Sequence, residues 1–93
     1  MTYSLEFHED ALKEWKKLGA PLREQLKKKL AERIEDPHVP AARLRGAKPR
    51  YKIKIRNAGY RLVYEVHEER LVVLVLAVGK RNRNAVYAKA SQR

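Results

Sequence analysis

Three cations in the middle of the sequence have the spacing of residues that share one face of a β-hairpin. The segment YKIKIRNAGYRLVYEV, residues 51–66, alternates polar and apolar side chains on both sides of the turn RNAG. Because side chains alternate across a strand, Lys52 and Lys54 share one face. If the two strands pair directly across that turn, Lys54 lies opposite Arg61, and directly opposed residues point to the same side. The pattern therefore predicts a triangle of Lys52, Lys54 and Arg61.

Such a triangle could stabilise a phosphate that becomes more negative in a transition state. An arginine suits this role because its guanidinium presents a fixed fork of donors. A lysine held among other cations is expected to have a lowered pKa, and so could transfer protons near neutral pH. From the charges alone, however, a solvated face or a general nucleic-acid-binding patch is the simpler interpretation.

Other kinds of chemistry have weaker support in the sequence. His8, His38 and His67 lie in different predicted elements and do not have metal-ligand spacing. There is no cysteine, and no Gly-rich phosphate loop, Ser/His/Asp set or paired-carboxylate motif is apparent. We therefore expect neither a metal nor a cofactor.

The net charge of +11 on 93 residues is unevenly distributed. Residues 1–36 have eight Lys/Arg and eight Asp/Glu, whereas residues 37–93 have fourteen and three. A polyanion is the natural partner of such a surface, although an acidic protein or an anionic membrane would satisfy the same electrostatics. The length predicts one domain, residues 1–93. No signal peptide is recognisable, and the longest apolar run, residues 71–78, is too short to span a bilayer, so we expect a cytoplasmic protein.

Periodicity and turn residues predict the order β-α-α-β-β-β followed by a basic C-terminal tail that is helical from about residue 82. The predicted strands cover residues 3–7, 51–55, 60–67 and 70–78, the helices cover residues 8–18 and 21–36, and a basic loop covers residues 37–50. The last predicted strand, residues 70–78, is apolar on both faces and should be central in the sheet. The prediction is an α+β fold: a small antiparallel sheet with a helical hairpin on one face, the other face left exposed with the loop and tail.

The sequence resembles the RelE toxins of the RelE/ParE superfamily. The resemblance covers nearly the whole chain through ALKEWKKLG, REQLKKKL, LRG, YKIKIR, GYRLVYEV, VGKR and the later VY. GYRLVY alone is shared by the wider superfamily, whereas the two lysines of YKIKIR combined with the Arg and Tyr of the tail are much more specific.

The resemblance implies a ribosome-dependent endoribonuclease that cuts mRNA in the ribosomal A site without a metal. The ribose 2′-OH would attack the adjacent phosphate and leave a 2′,3′-cyclic phosphate and a 5′-OH. The catalytic residues that carry over are Lys52, Lys54, Arg61, Arg81 and Tyr87. Basic residues expected to bind RNA or the ribosome are Arg43, Arg45, Lys48, Arg50, Arg56, Lys80 and Arg83.

The roles within this set remain partly open. Arg61 and Arg81 are expected to stabilise charge on the phosphate oxygens. Either Lys52 or Lys54 could act as the base or stabilise the activated 2′-OH, and Tyr87 could stack on a base or orient the 2′-OH.

The resemblance also implies partners: a RelB-like antitoxin, the 70S ribosome with mRNA in its A site, and operator DNA only through the antitoxin complex. No membrane partner is expected. Two alternatives stand beside this hypothesis. One is a ParE-like toxin that inhibits DNA gyrase without cutting RNA, and the other is a basic nucleic-acid-binding module.

Overall fold

The structure, a computed structural model, describes residues 2–80 and 85–93. Its elements are β1 (Ser4–Phe7), α1 (Glu9–Lys16), α2 (Ala20–Glu35), a 3-10 turn (Pro40–Ala42), β2 (Arg50–Ile55), β3 (Tyr60–His67), β4 (Val72–Lys80) and α3 (Ala85–Gln92). The predicted α+β class and element order are confirmed. Within the described ranges, no helix combines the length and the apolar character that crossing a bilayer requires.

The four strands form one sheet in the order β1-β4-β3-β2. The prediction that β4 is central is confirmed, since it lies between β1 and β3. The sheet is mixed, however, because β1 pairs with β4 in parallel, from Ser4 opposite Val72 to Phe7 opposite Val75. The expectation of a wholly antiparallel sheet was therefore wrong at this edge. Parallel pairing is possible because β1 and β4 are joined through two helices and a hairpin, and this connection is long enough to bring the chain back in the same direction.

The main core lies between the helical hairpin and one face of the sheet. Leu26 and Leu30 of α2 are buried against the alternate residues of β2 and β3 that the hairpin pattern predicts to face inward. The inward set comprises Tyr51, Ile53, Ile55, Leu62, Tyr64 and Val66. A one-residue slip would expose all of these side chains, so burial fixes the pairing of the hairpin.

The opposite face of the sheet is covered in part by α3, which corrects the prediction that this face is exposed. A second cluster of buried residues joins the sheet to this helix: Val63, Leu76, Ala77, Val86 and Ala90. Val86 and Ala90 are four residues apart and so lie on one side of α3. The tail therefore forms a packed helix whose small apolar face is sufficient to dock on the sheet.

A β-bulge in β4 explains how two successive residues face this helix. Val63 pairs with Ala77 while Tyr64 pairs with Val75, so that Leu76 is the additional residue. Strict alternation would place Leu76 and Ala77 on opposite faces, whereas the bulge directs both toward α3. The bulge thus supplies the surface on which α3 packs.

Two groups of polar contacts hold the C-terminal end of α3. On one side, Arg50 donates from Nε to Glu65 (2.8 Å) and from Nη1 to the carbonyl of Ala90 (3.0 Å). On the other side, Glu14 of α1 accepts from Arg93 Nη1 (2.8 Å) and from Lys89 Nζ (3.0 Å). These bonds connect α3 with α1 and with both strands of the hairpin.

The Glu14 carboxylate makes the stability of this arrangement dependent on pH. Burial alone would raise the pKa of Glu14, but the hydrogen bonds from Arg93, the Val78 amide and Lys89 outweigh it and hold the pKa below its usual 4.5. A lowered pKa means that the carboxylate contributes stability above the unfolded value, and that this contribution is lost as the pH falls through the folded value.

We therefore expect the parent protein to be more stable than Glu14→Gln by about 1–2 kcal/mol at neutral pH, with a smaller difference in acid. Urea denaturation from about pH 7 to about pH 3 measures this difference. A difference that stays constant over this range would show that the charge of Glu14 does not contribute. Arg70→Gln, at the exposed Glu6–Arg70 pair, is the matched control and should change stability little.

Candidate active site

The structure confirms the predicted pairing of the hairpin strands. Ile55 pairs with Tyr60, Lys54 with Arg61, and Lys52 with Val63. Because Val63 belongs to the cluster beneath α3, Lys52 and Lys54 lie on that same side of the sheet. We call the part of this side that carries Lys52, Lys54 and Arg61 the basic face.

Tyr87 of α3 lies against this basic face. Arg61 Nη1 donates to the Tyr87 hydroxyl at 3.0 Å, and the guanidinium carbon lies 5.3 Å from the centre of the ring. The hydroxyl accepts this bond with an oxygen lone pair, so its own proton remains available for a second hydrogen bond. The fold thus brings together residues from β2, β3 and α3 that are far apart in sequence.

Two cavities adjoin the cations. The hairpin cavity, about 250 Å³, is lined by Lys54, Ile55, Arg56, Gly59, Tyr60 and Arg61. The edge cavity, about 330 Å³, lies across the outer edge of β2 and is lined by Arg33, Val39, Ala41, Ala42, Lys52, Lys54 and Arg56. Because Lys54 and Arg56 line both cavities, an extended anionic chain could occupy the two in succession.

The other predicted basic residues occupy varied positions. Arg45, Lys48 and Arg56 are exposed and accessible to a large partner. Lys80 is also exposed, but it pairs with Tyr60 and so belongs to the side of the sheet opposite Arg61. Arg43 lies over the ring of Tyr51, 5.8 Å from its centre, which also places its side chain away from the basic face.

Arg81 and Arg83 lie outside the described residues.

Arg50, which was predicted to bind RNA or the ribosome, makes hydrogen bonds within the protein. Its side chain is 12% exposed and its guanidinium is bonded to Glu65 and to the carbonyl of Ala90. These two bonds use two of the five guanidinium N–H donors, and the low exposure of the side chain restricts access to the others. The geometry indicates that Arg50 holds α3 on the sheet, and its RNA contact stays a prediction.

The sequence interpretation missed two residues that shape the site. Gly79 pairs directly with Arg61, and a Cβ placed on it would lie only 3.2 Å from Val86 Cγ2. Glycine at this position therefore lets α3 approach the sheet beside Arg61. Its position between the apolar run of β4 and the pair Lys80-Arg81 was the signal that could have identified it.

Arg33 is the second missed residue. It extends from α2 and donates from Nη1 to the backbone carbonyl of Lys52 (3.1 Å) and to the Tyr64 hydroxyl (2.9 Å). Arg33 thereby fixes the backbone that carries Lys52. Its position on a helix with alternating charges gave no sequence signal, since most such arginines are solvated.

Comparison with known proteins shows which family shares this sequence and fold. Residues 5–85 match the family model described as "ParE toxin of type II toxin-antitoxin system, parDE". A curated relative, "mRNA interferase toxin RelE" of Escherichia coli K12, is 57% identical over 93 residues, which span all of this chain and 98% of the relative.

Solved structures agree with the sequence relatives. A variant of E. coli toxin RelE in the free state superposes with a TM-score of 0.92 at 55% identity, covering 100% of this chain and 98% of that one. RelE in the intact E. coli RelBE toxin–antitoxin complex gives 0.83 at 58% identity, with 87% and 99% covered. The similarities to RelE toxins span the full length of this chain. This protein belongs to the RelE family of type II toxin–antitoxin toxins.

Proposed function

We propose that this toxin is a ribosome-dependent mRNA interferase, an endoribonuclease that cuts mRNA in the ribosomal A site and stops translation in the cytoplasm. The observation that carries the proposal is the hydrogen bond from Arg61 to Tyr87 on the basic face, where Lys54 lies opposite Arg61. A solvated charge patch does not require an aromatic hydroxyl bonded to one of its cations. The family relationship to a relative named as an mRNA interferase supports the same function.

The proposed reaction is an internal transfer at one phosphodiester. A base removes the proton of the ribose 2′-OH, the 2′ oxygen forms a bond to the adjacent phosphorus, and the bond from phosphorus to the 5′ oxygen breaks. The 5′ oxygen takes up a proton, so the products are a 2′,3′-cyclic phosphate and a 5′-OH. The reaction as proposed needs neither a metal nor a cofactor.

Arg61 suits the phosphate in this reaction. Its guanidinium lines the hairpin cavity beside Lys54, so it can donate to the non-bridging oxygens as their negative charge increases. Its bond to Tyr87 supports a role for the tyrosine hydroxyl in orienting the 2′-OH. Lys52 or Lys54 would then serve as the base or stabilise the 2′ oxygen.

The two cavities suggest how the RNA lies on the protein. With the scissile phosphate at Lys54 and Arg61, the next nucleotide would continue across Arg56 into the edge cavity. The apolar side chains of Val39 and Ala41, which are half-buried and exposed, respectively, offer a surface for a base there. Arg45 and Lys48, which are exposed on the preceding loop, would contact the ribosome or the RNA backbone.

The proposed partners follow from the family. The E. coli relative has been solved in a complex with antitoxin RelB, and we propose that this chain binds a RelB-like antitoxin. Such a complex would contact operator DNA through the antitoxin.

Primer extension on an mRNA incubated with the toxin, with and without programmed ribosomes, tests this function. We expect cuts within the A-site codon only when ribosomes are present. Inhibition of gyrase supercoiling without RNA cleavage would support the ParE-like alternative. Tight binding to any RNA without cleavage on ribosomes would support a basic binding module.

Substitution of Gly79 tests whether the close approach of α3 matters for cleavage. We expect Gly79→Ala to lower the cleavage rate by about tenfold or more, because displacing Val86 moves Tyr87 away from Arg61. The rate of A-site cleavage at saturating ribosomes measures this effect.

A second substitution provides the control. Adding Val86→Ala removes the methyl group that the new Cβ would meet, and should restore part of the lost rate. A double variant slower than both single variants would show that steric contact with Val86 does not cause the defect.

A further inference from the structure

One edge of β4 continues beyond the end of β1 and is completed by side chains. β1 ends at Phe7, opposite Val75. Farther along β4, the amide of Val78 donates to Glu14 Oε1 (3.1 Å), and the carbonyl of Leu76 accepts from Arg93 Nη1 (2.9 Å). A carboxylate from α1 and a guanidinium from the residue after α3 thus replace the partners that another strand would supply.

The same two side chains are bonded to each other. Arg93 donates to both carboxylate oxygens of Glu14, from Nη1 at 2.8 Å and from Nη2 at 3.3 Å. Their side chains are only 14% and 18% exposed, whereas those of the Glu6–Arg70 pair on the surface are 46% and 58% exposed. An ion pair so shielded from water is screened less than a surface pair, and removing one partner leaves the other charge uncompensated.

This pair is connected to the basic face through α3. The helix has eight residues, too few to be stable without tertiary contacts. The amide of Arg93 is bonded to the carbonyl of Ala90, which lies one turn beyond Tyr87. The Glu14–Arg93 pair therefore holds one end of a short helix whose other end places Tyr87 on Arg61.

We propose that Glu14 and Arg93 are positioning residues of the nuclease: their ion pair fixes α3 against β4 so that the Tyr87 hydroxyl stays on Arg61. This inference rests on the proposed function and deepens it. Neither residue is near the RNA in the proposed arrangement, so both act through Tyr87.

A double-mutant cycle tests the proposal. We expect Arg93→Gln to lower kcat for A-site cleavage by about tenfold, with little change in KM for programmed ribosomes, because Tyr87 is misplaced after the substrate has bound. In a Tyr87→Phe background, the same substitution should have almost no further effect, since the hydroxyl that it positions is absent. Arg93→Lys retains a donor for Glu14 and Leu76 and should keep most of the rate.

Two control variants separate positioning from stability. Arg70→Gln removes a surface arginine from an ion pair remote from α3 and should leave kcat unchanged. Ile34→Val removes one methylene group from the core on the opposite side of the sheet. It should lower the unfolding midpoint without lowering kcat at a temperature where the protein remains folded.

A spectroscopic readout keeps the inference testable apart from the activity. In protein labelled with ¹³C at tyrosine Cζ, Arg93→Gln should shift the Tyr87 resonance, assigned through Tyr87→Phe, and Arg70→Gln should not. A parent protein that cuts no mRNA would refute the proposed function, while the Tyr87 shift would still report on the role of the ion pair. An unmoved Tyr87 resonance, an unchanged kcat, or an equal loss in the parent and Tyr87→Phe backgrounds would each overturn the inference.

Discussion

Arg61→Ala is expected to lower the rate of mRNA cleavage on the ribosome by about 100- to 1,000-fold, the usual effect of removing one donor that stabilises a transition-state oxyanion. The substitution also removes the hydrogen bond that holds the Tyr87 hydroxyl. The fold should survive because Arg61 is only half-buried and lies outside both hydrophobic clusters. Single-turnover cleavage at saturating ribosomes, with the urea midpoint measured in parallel, separates a loss of catalysis from a loss of stability.

Two variants are suitable controls for this result. Arg61→Lys keeps the charge but loses the planar fork, so its rate should fall between those of the parent and the alanine variant. Arg70→Ala removes an exposed arginine far from the basic face and should cut at the parent rate. If Arg61→Ala also cuts at the parent rate, the phosphate site is wrongly assigned.

Lys54→Met is expected to slow cleavage by about 100-fold or more, the lower end of the contribution of a general base. Lys54 lies opposite Arg61 and lines both cavities, whereas Lys52 lies opposite Val63 and lines only the edge cavity. We therefore expect Lys52→Met to have a smaller effect, of about tenfold. Methionine has nearly the length of lysine without its charge, so packing should be little disturbed.

The pH dependence of the rate identifies the base. A lysine that accepts the 2′-OH proton must be uncharged, so the rate should rise with pH until that lysine is deprotonated. Lys54→Met should flatten this rise, and Lys52→Met should retain it. The reverse pattern would exchange the two roles, and a rise retained by both variants would exclude a lysine base.

The sequence was most informative where the alternation of polar and apolar residues along a strand determined the structure. Alternation in the hairpin gave the pairing of Lys54 with Arg61, because the opposite register would have buried three cations. The same alternation also places Arg50 opposite Glu65, so the ion pair that occupies Arg50 could have been predicted by extending the hairpin by one residue. The continuous apolar run of β4 gave its central position for a similar reason.

The features that the sequence did not predict depend on contacts between distant segments. Composition carries no information about strand direction, so the parallel pairing of β1 was not predicted. The docking of α3 depends on Val86 and Ala90, on a bulge at Leu76 and on the missing side chain of Gly79. The helical tail itself was predicted, but none of these features produces a periodic pattern strong enough to show that it packs on the sheet.

The mass of the upstream RNA fragment released on programmed ribosomes tests the proposed chemistry most directly. If the basic face and Tyr87 catalyse attack by the 2′-OH, the fragment made in the A site will end in a 2′,3′-cyclic phosphate, and Arg61→Ala will make almost none of it. An upstream fragment with a 3′-OH would contradict the proposal, because it would require an attacking water in place of the ribose hydroxyl. The same fragment in equal amount from Arg61→Ala, or from mRNA without ribosomes, would contradict it as well.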